Sequence, residues 1–163
     1  MKRILMIGFL LFVLSGCGAQ EAFETVNDVY VPQPSPEPAS VEFLLPEEAA
    51  APVFHGDAGK LYFCEGYEIM VETLESGDLN RTVATLTGFD ADSLTILQTG
   101  SAQPQRYECV WTAAGEGGDQ VGRMVILDDG SYHYCISFTA LANDAGSLQE
   151  TWQEIASSFQ LSS

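Results

Sequence analysis

The chain has 163 residues and a formal net charge of −17 at pH 7, because 6 Lys and Arg stand against 23 Asp and Glu. This balance argues against binding to nucleic acid or to anionic lipid headgroups, since both kinds of binding use clustered Lys and Arg. Acidity of this degree helps to keep a domain in solution. We therefore expect partners that are cationic, metal-bearing or neutral.

The first 16 residues have the pattern of a secretory signal. Lys2 and Arg3 form a cationic start, and residues 4–13 form an apolar run that ends at small residues. The run is too short to cross a bilayer as a helix, which needs about 20 apolar residues. Residues 1–16 are therefore predicted to be a signal peptide.

The signal ends in Leu14-Ser15-Gly16-Cys17, which resembles the lipobox of bacterial lipoproteins. The resemblance implies that the Cys17 thiol is diacylated and that the signal is cut just before it. Two or three acyl chains hold a protein stably on a bilayer, because each buried methylene contributes about 0.8 kcal/mol. We expect a chain anchored to the cell membrane through lipid on Cys17, on the extracytoplasmic face of an envelope whose type the sequence does not define.

Residues 17–59 are predicted to be an acidic, proline-rich tether. Six of the seven prolines lie here, and in residues 32–38 proline alternates with other residues. Such a segment favours extended polyproline II structure over sheet. Two short apolar patches interrupt it. We expect residues 41–45 to be loosely ordered and Val53-Phe54 to dock on the domain.

Residues 60–163 are predicted to form one globular domain, which opens with a hairpin and a helix. Residues 60–64 and 67–73 read as strands around a Gly-containing turn. The apolar spacing changes to that of a helix over residues 78–87, with Asp78 as the N-cap and Gly88 as the stop. Residues 94–98 are predicted to form a short strand.

A three-stranded meander follows at residues 106–112, 120–127 and 131–140. Asp129-Gly130 is a dipeptide preferred in two-residue type I′ hairpins, which would place Leu127 opposite Tyr132. A four-residue first loop would place Cys109 opposite Met124. Both faces of the meander carry bulky side chains, so both are expected to be covered. One face is predicted to carry Tyr107, Cys109, Trp111, Met124, Ile126 and Cys135, and the other Val110, Val121, Val125, Tyr132, Tyr134, Ile136 and Phe138.

The chain ends in a predicted helix. Ser147 to Glu150 forms a capping box, and Leu148, Trp152, Ile155 and Phe159 follow at helical spacing. Together these elements predict an α+β fold. It is an antiparallel sheet of about five or six strands with a helix on each face, which is an α/β/α sandwich.

The end of the last strand, residues 134–140, and the segment Trp152 to Phe159 with its Ser-Phe ending resemble the close of PsbP-like domains. The order of hairpin, helix, meander and helix is similar too. PsbP-like domains occur in photosystem II extrinsic proteins, a nuclear transport factor and many bacterial lipoproteins. The resemblance implies a binding or assembly module without catalysis.

His133 and Cys135 are the first candidates for chemistry, because they lie two residues apart on one strand face. With Cys109 they could form a Cys-His nucleophile or a soft-metal site. The favoured alternative is that the cysteines are small buried hydrophobes. Cys109 and Cys135 are expected two strands apart, about 9–10 Å, which is too far for a disulfide. Any disulfide would then have to include Cys64, and we expect the thiols of the domain to be free.

Arg123 is the third candidate, either as a ligand for an anion or as an ion-pair partner of Glu108. The acid clusters at Asp90 and Asp92 and at Asp128 and Asp129 are interpreted as turn and capping residues. We expect no catalytic residue, no metal site and no cofactor. The predicted function is an envelope binding or assembly module with an envelope protein as its partner. The alternative is a metal or small-ligand carrier using His133 with nearby cysteines or acids. The sequence does not define an oligomeric state.

Overall fold

The computed structural model describes residues 36–54, 59–99, 101–115 and 117–162, all within one compact unit, Ser35–Ser163. The predicted signal peptide, Cys17 and the first part of the predicted tether lie outside these residues. In the described ranges, no helix is both long enough and apolar enough to span a bilayer.

The described residues form both strands and helices, numbered in chain order within each type. The strands are β1 (Val41–Glu42), β2 (Val53–Phe54), β3 (Gly59–Cys64), β4 (Tyr67–Glu75), β5 (Ile96–Gln98), β6 (Gln105–Ala113), β7 (Gln120–Asp128), β8 (Tyr132–Leu141) and β9 (Gln160–Leu161). The helices are α1 (Leu79–Thr87) and α2 (Ala142–Ser158), and Ala91–Ser93 forms one turn of 3-10 helix.

The main sheet has seven strands in the order β2-β3-β4-β8-β7-β6-β5, and every neighbouring pair is antiparallel. The predicted α+β class is confirmed, but the predicted five or six strands are too few. The added strand is β2, whose Val53 pairs with Leu61 of β3. This pairing agrees with the expectation that Val53-Phe54 docks on the domain.

The segment before β2 also packs on the domain. Val41 of β1 pairs with Leu161 of β9 in a separate two-stranded sheet, and the Phe43 ring meets the Tyr62 ring edge-on at 5.9 Å between centroids. The expectation that residues 41–45 are loosely ordered was wrong. Apolar side chains within the predicted tether, Val41 and Phe43, pack against the core, so the packed domain begins before residue 60.

Helix α1 follows its prediction closely. The Asp78 carboxylate accepts a hydrogen bond from the Asn80 N–H at 3.0 Å, which satisfies one of the unpaired donors at the helix start. Gly88 ends the helix at φ 76°, a left-handed conformation that glycine adopts without a Cβ clash.

Helix α2 begins five residues before the predicted capping box. The Ala142 N–H donates to the Asp119 carbonyl at 2.8 Å, so β8 leads into the helix without an intervening loop. Ser147 therefore lies inside the helix, where its hydroxyl donates to the Asp144 carbonyl at 2.7 Å. A capping box is a local signal, and here the strand that precedes the helix sets its start.

The β7–β8 hairpin is longer than predicted. Leu127 pairs with Tyr134 rather than Tyr132, because the turn contains four residues between the paired Asp128 and His133. A type I′ turn needs two positive φ angles, and in the described residues only glycines, including Gly130, have one. The Asp129 carboxylate instead accepts the Ser131 and Tyr132 N–H groups, each at 2.7 Å. The register of the first hairpin was predicted correctly, since Cys109 pairs with Met124. Its loop is longer than the predicted four residues, because six residues separate the paired Ala113 and Gln120.

Alternation along the strands produces two buried clusters. On one side, α2 and the strands β4, β7 and β8 contribute to the larger cluster, which includes Ile69, Val125, Tyr134, Ile136, Phe138, Trp152 and Ile155. The smaller cluster joins α1 to β6, β7 and β8 and includes Val83, Cys109, Met124, Ile126 and Cys135. Neighbouring residues such as Val125 and Ile126 belong to different clusters, as expected for a strand with apolar residues on both faces.

Candidate functional site

His133 lies under α1 and fastens that helix to β8. Its side chain is 1% exposed, and its Nδ1 lies 2.8 Å from the Thr82 hydroxyl. Its Nε2 lies 3.6 Å from the nearest Asp128 carboxylate oxygen and 3.5 Å from the Ser76 hydroxyl. Both ring nitrogens therefore have polar neighbours within the domain, as a buried polar side chain requires.

Cys109 and Cys135 lie on the same side of the sheet as His133, but β7 separates them as predicted. Both thiols are free and buried. Burial raises the pKa of Cys109 to about 11. Burial, with the nearby Glu72 carboxylate, raises the pKa of Cys135 further. Because the thiolate is the nucleophile and the metal ligand, neither cysteine suits that chemistry at neutral pH.

The described residues contain no group of three or more His, Cys, Asp or Glu side chains arranged to hold a metal ion. Arg123, the third candidate, lies on the opposite face, under α2. The structure therefore does not bring the three predicted candidates together.

Arg123 belongs to an ion-pair network that fastens α2 to the sheet. Its guanidinium donates to a Glu108 carboxylate oxygen at 2.8 Å and to Gln153 of α2 at 2.8 Å. The other Glu108 oxygen accepts from Arg106 at 3.0 Å, and Arg106 also donates to the Ala156 carbonyl near the end of α2 at 2.7 Å. The predicted pairing of Arg123 with Glu108 is confirmed. A cation at a helix C-terminus is favourable because of the helix dipole.

Replacing Glu108 with Gln is expected to destabilise the domain by about 1–2 kcal/mol at pH 7, since two half-buried guanidinium groups lose a charged acceptor. Burial alone would raise the pKa of Glu108, but hydrogen bonds from Arg123 and Arg106 outweigh it and lower the pKa below 4.5. The stabilisation is therefore complete above about pH 4.5 and is lost as the pH falls through the lower folded pKa. Urea unfolding of both proteins between pH 3 and 7 measures this difference.

The control for this experiment is Glu154→Gln on the exposed surface of α2, which removes the same charge away from the network. It should change stability little at any pH. A Glu108→Gln deficit that stayed constant down to pH 3 would contradict the assignment, because the deficit should shrink once Glu108 is protonated.

A different surface remains uncovered. On the α1 side of the sheet, the strands β2, β3 and β4 have no helix above them among the described residues. We call this surface the open face, and its outward side chains are Val53, Leu61, Phe63, Glu68, Met70 and Glu72. Both faces of the sheet were expected to be covered, and this half of one face is not covered by any helix in the described ranges.

Helix α1 is too small to cover the whole face. Nine residues make a helix about 13 Å long, whereas seven strands are about 29 Å wide. The helix lies over β6, β7 and β8, where its side chains join the smaller cluster. Thr85 and Leu86 of α1, with Trp111, form one wall of a groove of about 360 Å³ whose floor includes Leu61 and Met70.

Two of the exposed side chains of the open face are apolar. Val53 is 53% exposed and Phe63 is 45% exposed. In the register, Val53, Leu61 and Met70 form one row across the sheet, which continues to Ser137 of β8. Contiguous exposed apolar side chains rimmed by polar ones mark interaction surfaces in soluble proteins.

Two carboxylates flank Met70 on this face. Glu68 is exposed and Glu72 is half-buried. Glu72 lies between Gly59 and Cys135 in the register, and glycine leaves space beside the carboxylate. The groove has no Lys, Arg or His in its described lining, so the face is acidic as well as apolar.

Strands β3 and β4 were predicted from the sequence, but the open face was not. The signal was the alternation in β4, where buried Tyr67, Ile69 and Val71 face the larger cluster. The residues that alternate with them are Glu68, Met70 and Glu72. A residue pattern that is neither wholly polar nor wholly apolar is typical of a contact surface, and comparing the length of α1 with the width of the sheet would have shown that it is uncovered.

The comparisons with known proteins concern the fold. No family model matches the chain, and no curated protein matches it. Among solved structures, cyanobacterial PsbP (CyanoP) from Synechocystis is 12% identical, with a TM-score of 0.54 over 75% of this chain and 86% of that one. The Ran-binding protein Mog1p of Saccharomyces cerevisiae is 13% identical, with a TM-score of 0.52 over 74% of this chain and 89% of that one.

A structure from Bacteroides thetaiotaomicron is 15% identical, with a TM-score of 0.52 over 76% of this chain. The chain spans only 45% of the length of that protein. At these identities the likeness shows the fold alone. The predicted PsbP-like fold has structural neighbours of that kind, while the lipobox lies outside the described residues.

Proposed function

We propose that this chain is a lipid-anchored, extracytoplasmic binding or assembly module without catalytic activity, and that it binds an envelope protein through the open face. In this proposal Cys17 holds the domain on the cell membrane and the residues up to about 35 act as the tether. The domain is an α/β/α sandwich in which α1 leaves half of its face unoccupied. The observation that supports binding is this uncovered apolar and acidic surface.

Two further observations favour binding over catalysis. The Cys-His pair on which a nucleophile could be built is buried beneath α1, and its cysteine has a raised pKa. One structural neighbour is described as a Ran-binding protein, so a domain of this fold can serve as a binding module. We take from that neighbour the class of function and not the partner.

The alternative function, a metal or small-ligand carrier centred on His133, has weaker support. Thr82 and Asp128 already lie beside the two ring nitrogens, and the acid clusters add no third ligand within the described ranges. A carrier would have to move α1 to expose this ring.

Replacing Cys17 with Ala tests the anchor. When cells are grown with an alkyne-tagged fatty acid, the native chain should be labelled and should sediment with membranes, because acylation needs the Cys17 thiol. Cys17→Ala should be unlabelled and should retain its uncleaved signal peptide. Cys64→Ala is the matched control and should be labelled like the native chain. Equal labelling of Cys17→Ala and the native chain would contradict lipidation at this residue.

A photo-crosslinking amino acid at position 63 tests the binding surface in intact cells. Position 110 on the opposite face is the control, because Val110 is similarly exposed, at 57% compared with 45% for Phe63. We expect a discrete adduct from position 63 and none from position 110. No adduct from position 63, or the same adducts from both positions, would count against a partner on the open face.

A further inference from the structure

We infer that the segment docking on the open face is a cationic amphipathic helix of the partner protein, lying beside α1. This inference rests on the proposed function and adds the chemistry of the partner. It follows from the width of the open face, from its apolar row and from its two carboxylates.

The width of the open face matches one helix. From β2 to β4 there are two strand spacings, which is about 9.6 Å. An α-helix with its side chains is about 10–12 Å across. A helix centred over β3 would lie three strand spacings, about 14 Å, from β7 beneath α1, with the side chains of Leu86 and Trp111 between the two helices. It would complete the helical layer over this side of the sheet. Layered domains bury apolar sheet surface in this way.

The apolar row gives such a helix its contact surface. Leu61 and Met70 lie in the floor of the groove and Trp111 in its wall. Methionine is flexible and polarisable, so it adapts to different side chains and is frequent at binding surfaces. A helix with one apolar stripe would bury this row, which includes the exposed Val53, together with the exposed Phe63.

The two carboxylates determine the charge of the helix. Glu68 and Glu72 point to the same side of β4, about 13 Å apart, with Met70 between them. Docking takes both carboxylates partly out of water, and a carboxylate leaves water cheaply only when a cation pairs with it. Lys or Arg flanking the apolar stripe would provide that partner.

Charge also excludes other occupants. A second copy of this chain would bring its own Glu68 and Glu72 against the same residues, and like charges at an interface are costly. A bilayer with anionic lipids would be repelled for the same reason. The net charge of −17 favours approach of a cationic segment over long distance.

The test uses the full-length chain in neutral detergent and three labelled 18-residue peptides. One has Leu on one helical face and Lys on the other, the second replaces every Lys with Glu, and the third scrambles the Leu and Lys residues so that no apolar face forms. Fluorescence anisotropy should show binding of the first peptide only. Glu68→Gln with Glu72→Gln should weaken that binding about tenfold, because two charge pairs are lost.

Glu150→Gln with Glu154→Gln is the matched control, since it removes two acids four residues apart from the exposed surface of α2. It should leave the affinity within about twofold of the native value. Met70→Ala should also weaken binding, whereas Val110→Ala on the opposite face should not. Thermal unfolding by circular dichroism checks that each variant is folded.

The inference is overturned if the scrambled or the Glu-containing peptide binds as well as the Leu and Lys peptide. It is also overturned if the two α2 substitutions weaken binding as much as the two β4 substitutions, because the attraction would then come from net charge alone. A crosslink from position 63 that survives Glu68→Gln with Glu72→Gln unchanged would retain the proposed function and reject the cationic helix.

Discussion

Replacing Trp152 with Ala should lower the free energy of unfolding by about 3–5 kcal/mol, which is the usual cost of deleting a buried aromatic ring. Trp152 is 3% exposed and joins α2 to the sheet at the centre of the larger cluster. Its indole stacks on Phe138, with 5.7 Å between centroids and 22° between planes, and meets Tyr67 edge-on at 6.3 Å. Urea unfolding monitored by circular dichroism measures this loss directly.

Trp152→Phe should cost much less, about 1 kcal/mol or below. The Trp152 indole N–H is buried and has no hydrogen-bond partner among the described residues, and an unpaired buried donor costs about 1–3 kcal/mol. Phe removes that donor and keeps a ring to stack on Phe138. If Trp152→Phe were as damaging as Trp152→Ala, the indole N–H would have to be bonded, for instance to an ordered water molecule.

The parts of this fold that depend on alternation and on local caps could be predicted from sequence. The six residues assigned to one face of the meander, Tyr107, Cys109, Trp111, Met124, Ile126 and Cys135, all belong to the smaller cluster. Helix α1 begins after Asp78 and ends before Gly88 as predicted. These features depend on neighbouring residues and on the two-residue period of a strand, which the sequence displays directly.

The parts that depend on distant contacts could not be predicted in the same way. The pairing of Val41 with Leu161 joins residues 120 positions apart, and no local pattern predicts such a partner. The β7–β8 register shifted by two residues because the Asp129 side chain bonds the backbone of its own turn. The side chains of the meander were still assigned to the correct faces, since a shift of two residues leaves every side chain on its own face.

The candidate site was predicted less well than the fold, for a related reason. His133, Cys135 and Arg123 are residue types that often bind ligands or take part in catalysis. In this structure all three help to hold helices on the sheet. The open face contains no such residue type, apart from its carboxylates. It becomes visible only when α1 is placed and its limited length leaves β2, β3 and β4 without a helix from the part of the chain that the structure describes. Whether a sheet surface is covered depends on where distant elements pack, which a search for motifs does not detect.

Replacing Gly122 with Ala should destabilise the domain by about 2–3 kcal/mol, although alanine is the smallest possible change. Gly122 of β7 pairs with Trp111 of β6, and the Trp111 ring lies across the glycine. A Cβ at position 122 would lie 2.2 Å from two atoms of that ring. The ring is wedged beside α1, so it must rotate or move the backbone, and overpacking of this kind costs about 1–3 kcal/mol.

A double-mutant cycle separates the clash from any other cost of the substitution. With Trp111 replaced by Ala, the clash is gone, and Gly122→Ala should then be neutral or slightly stabilising, because glycine is the less favourable residue in a strand. Gly77→Ala is the control, since a Cβ there meets nothing within 4 Å. If Gly122→Ala were equally damaging in both backgrounds, the glycine would be needed for its own backbone conformation, and the clash with Trp111 would not be the reason.

Because Trp111 also forms the wall of the groove beside α1, the same cycle repeated with the Leu and Lys peptide shows whether this packing sets the shape of the open face. The native pair should bind best, and Trp111→Ala should weaken binding whichever residue occupies position 122.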